Sequence, residues 1–129
     1  MPTVEAINDA VERYLRAVAS GTAADIAACY AEDATLEDPV GSEPQRGRAA
    51  IERFYGAIEG ARREAKLIAL RVAGSSAAFY FLVRTENGEQ VTEVEPIDVM
   101  TFDEHGRITG MRAFWSPGDI RTGGEPRRT

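Results

Sequence analysis

Apolar side chains recur at helical spacing near the start of the chain. One side carries Val4, Ile7, Val11, Tyr14 and Val18 at intervals of three or four residues, with Leu15 next to Tyr14. This periodicity predicts an amphipathic helix, and Gly21 stands where such a helix would end. Tyr14 lies on the apolar side of this helix, so its ring is expected to point inward.

Two further helices are predicted in the first half of the chain. Thr22 and Asp25 resemble a capping pair, which would open a short second helix that continues through Cys29 and Tyr30. The third helix is predicted over residues 48–58, with Gly60 closing it. Four large apolar residues share one side of it: Ile51, Phe54, Tyr55 and Ile58.

The second half of the chain changes to a strand pattern. Residues 66–72, 76–84, 90–102 and 107–116 are rich in β-branched and aromatic residues. Asn87-Gly88 and residues 103–106 (DEHG) each predict a hairpin turn between these segments. Helices followed by antiparallel strands indicate an α+β domain, with three N-terminal helices packed on one face of a curved, mostly antiparallel β-sheet.

The composition is typical of one soluble globular unit. The chain has 129 residues, of which 43% are hydrophobic and 28% charged, as expected of a folded protein. We expect a single domain over residues 1–118 and a flexible tail over residues 119–129, which contains Arg121, Arg127 and Arg128. The longest apolar run, residues 77–83, is far shorter than the roughly 20 residues of a membrane span, so no membrane span is expected.

Charge and cysteine content narrow the partners and the compartment. The net charge is −6, and residues 1–40 hold eight acidic side chains against Arg13 and Arg16. Because phosphate binding needs a basic surface, we expect no nucleic-acid partner. The N-terminus lacks the pattern of a signal peptide, and the single cysteine, Cys29, allows no intrachain disulfide. Both observations favour the cytoplasm.

The chain lacks the residues that several common types of active site need. His105 is the only histidine and falls in a predicted turn, which disfavours a two-histidine metal site and a Ser-His-Asp arrangement. Cys29 falls in the predicted second helix, where packing is more common than nucleophilic chemistry. The glycines form no GxGxxG or phosphate-loop motif. We therefore expect no metal and no cofactor, and acid–base chemistry by carboxylates and tyrosines.

Tyr14, Asp38 and Asp98 occupy positions that favour such chemistry. Asp98 lies in PIDVMTF between apolar neighbours, where desolvation should raise its pKa and leave it protonated near neutral pH. Asp38 precedes Pro39 at the end of ATLEDP, a predicted strand or turn, and a cis Pro39 would aim it into a cleft. Each residue also has a purely structural interpretation. Tyr14 would be a core tyrosine, Asp38 an aspartate in a turn, and Asp98 an acid paired with an arginine.

Five stretches of the chain carry a family pattern. They are the helix that contains Tyr14, YAEDATLEDPVG (residues 30–41), GRAAIERFYGAI (47–58), IDVMTFDEHGRI (97–108) and MRAFWS (111–116). In this order and spacing they resemble the bacterial ketosteroid isomerases. The motif at Asp33-Ala34 is shared with the broader superfamily of nuclear transport factor two-like and polyketide cyclase-like proteins, whereas the combination of Tyr14, Asp38-Pro39 and IDVM is more specific.

The resemblance implies a conical α+β fold, usually dimeric, around an apolar pocket that binds a steroid. By position, Asp38 matches the general base, and Tyr14 and a protonated Asp98 match the two donors to an enolate oxygen; the neutral carboxyl is a known property of that family. Tyr55 and Tyr30 match tyrosines that extend the hydrogen-bond chain behind Tyr14. Five residues correspond to the pocket wall: Trp115, Met111, Met100, Phe81 and Val18.

The reaction implied by the resemblance converts a Δ5-3-ketosteroid into its Δ4 isomer by intramolecular proton transfer through a dienolate. Two alternatives use the same fold: a protein that binds a steroid or other apolar ligand without turnover, and a polyketide cyclase-like enzyme. Limonene epoxide hydrolases place an arginine two residues before a catalytic aspartate, where this chain has Pro96 before Asp98. Scytalone dehydratases depend on more histidine than this chain contains.

Overall fold

The three predicted helices form in a computed structural model that describes residues 1–123. They are α1 (Val4–Ser20), α2 (Ala23–Ala27) and α3 (Arg48–Tyr55), and a 3₁₀ helix at Gly56–Ile58 extends the last of them. Helix α1 buries the apolar side that its periodicity predicts, including Tyr14, except for the exposed Val4 at its start. Thr3 caps the first turn by accepting from the N–H of Ala6. No helix within residues 1–123 is long and apolar enough to cross a membrane.

The second helix is shorter than predicted. The capping box of Thr22 and Asp25 opens it, but it ends at Ala27, so the prediction of helix through Cys29 and Tyr30 is wrong. The N–H of Cys29 bonds to the carbonyl of Ile26, which tightens the chain into a turn. Tyr30 then begins the first strand, because its backbone pairs with a strand from the far end of the chain.

The strands form one eight-stranded sheet in the described residues. They are β1 (Tyr30–Glu37), β2 (Gln45–Arg46), β3 (Arg62–Ala73), β4 (Ser76–Asn87), β5 (Gln90–Val94), β6 (Ile97–Phe102), β7 (Ile108–Phe114) and β8 (Ile120–Thr122). The order is β2-β1-β7-β6-β4-β5-β8, with β3 pairing with β4. Only β1 and β7 pair in parallel among the described strands, which confirms the predicted mostly antiparallel α+β fold.

Both predicted hairpin turns form. Gly88 turns the chain between β4 and β5 at a φ of 67°, and Asn87 pairs with Gln90 across that turn. Between β6 and β7, the carboxylate of Asp103 accepts from the N–H groups of His105 and Arg107. His105 is exposed in this turn, as predicted.

Two boundaries in the second half differ from the prediction. The segment over residues 90–102 divides into β5 and β6 at Glu95-Pro96, since proline cannot donate to a sheet. The expected tail also begins too early, because Ile120–Thr122 form β8 along the free edge of β5. The rest of the predicted tail, residues 124–129 with Arg127 and Arg128, lies outside the described residues.

Candidate active site

A cavity of about 350 Å³ lies between the helices and the inner face of the sheet. Its wall is mostly hydrophobic, as is usual for small-molecule sites. The apolar lining residues come from α1, α3 and its 3₁₀ extension, β4, β5, β7 and the β5–β6 connection: Val18, Phe54, Ala57, Ile58, Phe81, Val83, Val94, Pro96 and Ala113. The polar lining residues are Tyr14, Asp38, Tyr55, Thr85, Asp98 and Trp115. The three predicted catalytic residues therefore face one space.

Asp98 is a buried carboxyl on the inner face of β6. Strand alternation turns it inward together with Met100 and Phe102, and only 2% of it is exposed. Burial raises the pKa of Asp98 well above its usual value, and the nearby charge of Asp38 raises it further. No ion pair between described residues includes Asp98, so the alternative of an acid paired with an arginine is not supported.

Asp38 follows directly after β1, and the Asp38–Pro39 peptide bond is cis. The parallel pairing of β1 with β7 brings this segment beside the end of β7, where Trp115 begins the next loop. The indole Nε1 of Trp115 donates to Oδ1 of Asp38 at 2.6 Å. Burial raises the pKa of Asp38, and the hydrogen bond from Trp115 opposes that rise by stabilising the carboxylate.

The two acids therefore stand in different surroundings. Asp38 accepts a hydrogen bond from Trp115 in the wall of the cavity. Burial is the main influence on the pKa of Asp98, and no side-chain hydrogen bond between described residues includes its carboxyl. They are the only acids that line the cavity in the described part of the chain. No group of three or more His, Cys, Asp or Glu side chains in residues 1–123 is placed to hold a metal ion.

Three tyrosine hydroxyls form a buried chain behind the cavity. The Oη atoms of Tyr14 and Tyr55 are 2.9 Å apart, and those of Tyr55 and Tyr30 are 2.8 Å apart. Burial raises the pKa of all three phenols well above 10, so they remain protonated at neutral pH. The guanidinium of Arg48 fixes the backbone of Tyr30, the last of these three tyrosines, because its Nε and Nη2 both donate to the carbonyl of Tyr30.

Most of the predicted site residues meet at the cavity, and two do not. Phe81, Val18 and Trp115 line it, and Tyr30 lies behind it. Met100 and Met111, predicted as pocket wall, are instead packed in the core and do not line the cavity. The reason is their position along the strands. Met100 lies two residues further along β6 than Asp98, on the same face, and there it pairs with Met111 under the helices and outside the cavity.

The sequence prediction missed much of the apolar wall. Phe54 and Ile58 were placed on one side of the third helix, but nothing in the pattern showed that this side meets a cavity. On β4, the alternation that points Phe81 inward also points Val83 and Thr85 inward. The hydrogen bond from Trp115 to Asp38 joins residues 77 positions apart, and neither residue alone signals it.

Comparison with known proteins gives a consistent picture. A family model described as a SnoaL-like domain matches residues 11–111. A protein named steroid Δ-isomerase from Nocardioides simplex is 60% identical over 114 residues, which is 88% of this chain and 93% of that protein. Among solved structures, the epoxide hydrolase/cyclase-like enzyme SalBIII, described in pyran ring formation of the polyether salinomycin, is 28% identical with a TM-score of 0.86, over 93% of this chain and 98% of that one. RV0760c from Mycobacterium tuberculosis is 20% identical with a TM-score of 0.85, over 95% of this chain and 100% of that one, and shows the same fold.

Proposed function

The chain belongs to the SnoaL-like family, and we propose that it is a steroid Δ-isomerase that converts Δ5-3-ketosteroids into their Δ4 isomers. The predicted resemblance to ketosteroid isomerases is confirmed by the 60% identity to the Nocardioides simplex protein. The observation that carries the proposal is the convergence of Asp38, Tyr14 and Asp98 on one apolar cavity. The reaction needs a base, donors for a ketone oxygen that gains charge, and a site that excludes water.

In the proposed mechanism, Asp38 moves one proton between two carbons of the substrate. Its carboxylate removes a proton from the carbon between the ketone and the alkene, and the electron pair of that C–H bond shifts towards the ketone oxygen to give a dienolate. The same proton returns to the far carbon of the former alkene, which leaves the double bond conjugated with the ketone. Nothing is oxidised, and a base held in position contributes roughly 10²–10⁴-fold to such a step.

Tyr14 and protonated Asp98 would donate hydrogen bonds to the dienolate oxygen. The raised pKa values of both groups support this role, because each must carry its proton in order to donate. Donors of this type stabilise a transition state by about 3–4 kcal/mol each where water is excluded. The site thus needs two aspartates in opposite states, with Asp38 ionised and Asp98 neutral.

The tyrosine chain would strengthen the Tyr14 donor. When Tyr14 donates to the substrate, its oxygen is free to accept from Tyr55, which can in turn accept from Tyr30. Hydrogen bonds in series polarise one another in a low-dielectric interior. Arg48 would act as a positioning residue for this chain through the backbone of Tyr30.

A direct assay tests the proposed function. Purified protein is mixed with a Δ5-3-ketosteroid, and the absorbance of the conjugated enone is followed. A rise that is fast with the wild type and abolished in Asp38→Asn supports the isomerase. Steroid binding without any spectral change would favour the non-catalytic binding protein instead.

A cyclase-like activity is the second candidate, and the SnoaL-like family match and the likeness to SalBIII favour it. A cyclase would also use an acid and a base in an apolar cavity, so the fold alone does not separate the two activities. Isomerase and cyclase differ in their products, since an isomerase moves a double bond within the existing rings whereas a cyclase closes a new ring. Mass spectrometry and NMR of the product therefore decide between them.

We also propose that the protein is a homodimer. Tyr80, Ile97 and Phe114 are large apolar residues with 36–46% of their surface exposed, and they form a row across β4, β6 and β7 on the outer face of the sheet. An exposed apolar patch of this kind is typical of an interface between protein chains. Sedimentation should give a dimer that Ile97→Glu dissociates, whereas Ile68→Glu, which changes an equally exposed residue of β3, should leave it intact.

We also propose that the protein is cytoplasmic. Cys29 is a free and buried thiol in the structure, and a reducing compartment keeps such thiols reduced. Cell fractionation of the source organism tests the location, and recovery of the protein mainly outside the cell would contradict it.

A further inference from the structure

Arg63 is a buried cation whose donors are only partly used. It lies near the start of β3 with 8% of its surface exposed, and its Nη2 donates to the carbonyl of Gly21 at 2.6 Å. Its Nε and Nη1 are buried without a hydrogen-bond partner. No ion pair between described residues includes Arg63. A buried charge without a counter-charge is costly, so this guanidinium is suited to an anion that the chain itself does not supply.

The register of the sheet puts Arg63 beside the cavity. Arg63 lies directly opposite Thr85 in the antiparallel pairing of β3 with β4. Side chains directly opposite one another share a face, with Cβ atoms roughly 5 Å apart. Thr85 lines the cavity, and so does Val18, one turn before Gly21 on α1. The Cβ of Arg63 is therefore next to Thr85 at that end of the cavity, although Arg63 itself does not line the cavity.

That end is far from the proposed reaction centre. Asp98 pairs with Phe79 on β4, and Thr85 lies six residues further along the same strand, which corresponds to about 20 Å of extended chain. The inward residues between them, Phe81 and Val83, are apolar and suit a hydrocarbon skeleton. A steroid whose ketone lies at Asp98 has a four-ring skeleton shorter than this span. A substituent on its last ring would therefore point towards Thr85 and Arg63.

We propose that Arg63 and Thr85 form a subsite for a carboxylate at the end of the substrate's side chain, so that the preferred substrates are Δ5-3-keto steroid acids. This inference rests on the proposed isomerase function and specifies its substrate class. A carboxylate can accept two parallel N–H bonds from a guanidinium and supplies the missing counter-charge. The Thr85 hydroxyl donates a further bond, and a rotation of the long Arg63 side chain turns its unpartnered donors towards the cavity.

Two matched substrates test the subsite. One is a Δ5-3-ketosteroid with a five-carbon side chain that ends in a carboxylate, and the other is its methyl ester. The wild type should show a higher kcat/KM for the acid than for the ester. Arg63→Met should lower the acid-to-ester ratio by about tenfold to a hundredfold, the loss expected for a hydrogen bond to a charged group. Thr85→Val, which keeps the shape of the side chain, should lower the ratio by a smaller factor.

The neighbouring arginine provides a matched control. Arg62 is on the opposite face of β3, where it approaches Glu86 at 3.4 Å, so Arg62→Met removes the same charge away from the cavity. This variant should keep the wild-type acid-to-ester ratio. The proposal is overturned if the wild type uses acid and ester equally, or if Arg63→Met slows both substrates by the same factor, as a purely structural role at Gly21 would predict.

A third substrate separates this inference from the proposed function. For a Δ5-3-ketosteroid with only a ketone on its last ring, Arg63→Met should lower kcat/KM by a much smaller factor than it does for the acid. If it is isomerised but acids gain nothing from Arg63, only the subsite is wrong. If no steroid is isomerised, the function is wrong, and quenching of the single tryptophan, Trp115, still measures whether the acid binds more tightly than the ester.

Discussion

Glu95 and Asp98 are three residues apart in the sequence, yet they lie on opposite faces of one sheet and their pKa values shift in opposite directions. On the outer face, the carboxylate of Glu95 accepts from the hydroxyl of Tyr80 and from Arg121, each at 2.6 Å, and these bonds lower the pKa of Glu95. On the inner face, Asp98 has no cation beside it, and burial raises its pKa. The surroundings thus favour the ionised form of the surface acid and the protonated form of the buried one.

The two faces of the sheet use their polar side chains differently. Charged side chains on the outer face pair with one another, as in Arg84–Glu93 and Arg121–Glu95. Inner-face polar groups point into an apolar cavity, where their hydrogen-bonding capacity is left for a ligand. Substitutions on the inner face should therefore change catalysis, and those on the outer face should change it little.

The strongest expected disruption of the inner face is Asp38→Asn. An amide cannot accept the substrate proton, so kcat should fall by about 10²–10⁴-fold or more. Asparagine is nearly the same size as aspartate, so steroid binding, measured by the fluorescence of Trp115, should persist. Retained turnover in this variant would remove Asp38 from the mechanism.

The next largest effects should come from the two proposed donors to the dienolate oxygen, Tyr14 and Asp98. Tyr14→Phe and Asp98→Leu should each lower kcat by about 10²–10³-fold while changing steroid affinity much less. Asp98→Asn is the matched control, because its amide still donates a hydrogen bond and should cost less than leucine. Steady-state kinetics measure all three, and an unchanged kcat in both Tyr14→Phe and Asp98→Leu would refute the assignment.

Acid pH should affect the site through Asp38. In the proposed mechanism turnover requires the carboxylate of Asp38, and burial raises its pKa from the usual 3.8. The value of kcat/KM should therefore fall as the pH drops through that raised pKa, about tenfold per pH unit below it. Trp115→Phe removes the hydrogen bond that lowers the pKa, so the fall should begin at a higher pH. A pH–rate profile measures both, and a rate that stays flat from neutrality to well below pH 4 would contradict the role of Asp38.

The smallest effect is expected on the outer face. Glu95→Gln removes the charge that Arg121 and Tyr80 contact, but this carboxyl does not reach the cavity. We expect kcat within about twofold of the wild type, as for most surface substitutions. A loss as large as that of Asp98→Asn would mean that the two faces are coupled through the strand.

Periodicity and capping made the elements of the first half predictable. The apolar spacing of α1 correctly turned Tyr14 inward, and Thr22 with Asp25 correctly marked the start of α2. The apolar neighbours of Asp98 in PIDVMTF likewise indicated a desolvated carboxyl, although the pattern did not fix which face of the strand lies inward. These features depend on neighbours within a few residues, which a local pattern contains.

Two features could not be predicted from local patterns: whether an inward residue faces the core or the cavity, and which residues distant in the sequence pair with each other. Alternation gives the face on which Met100 lies, but not that the core rather than the cavity covers it. The end of α2 was misplaced because Tyr30 joins a strand whose partner, Ile108, is 78 positions later in the chain. The contact of Trp115 with Asp38 and the position of Arg63 beside Thr85 depend on the same kind of distant pairing.

The parallel pairing of β1 with β7 has a consequence for the order in which parts of the protein fold. It joins segments from opposite ends of the domain, and contacts of high sequence separation are slow to form during folding. Helix α1 depends on local contacts and can form before that closure. In a refolding experiment, circular dichroism should therefore recover before enzymatic activity, which needs both ends of the chain in place.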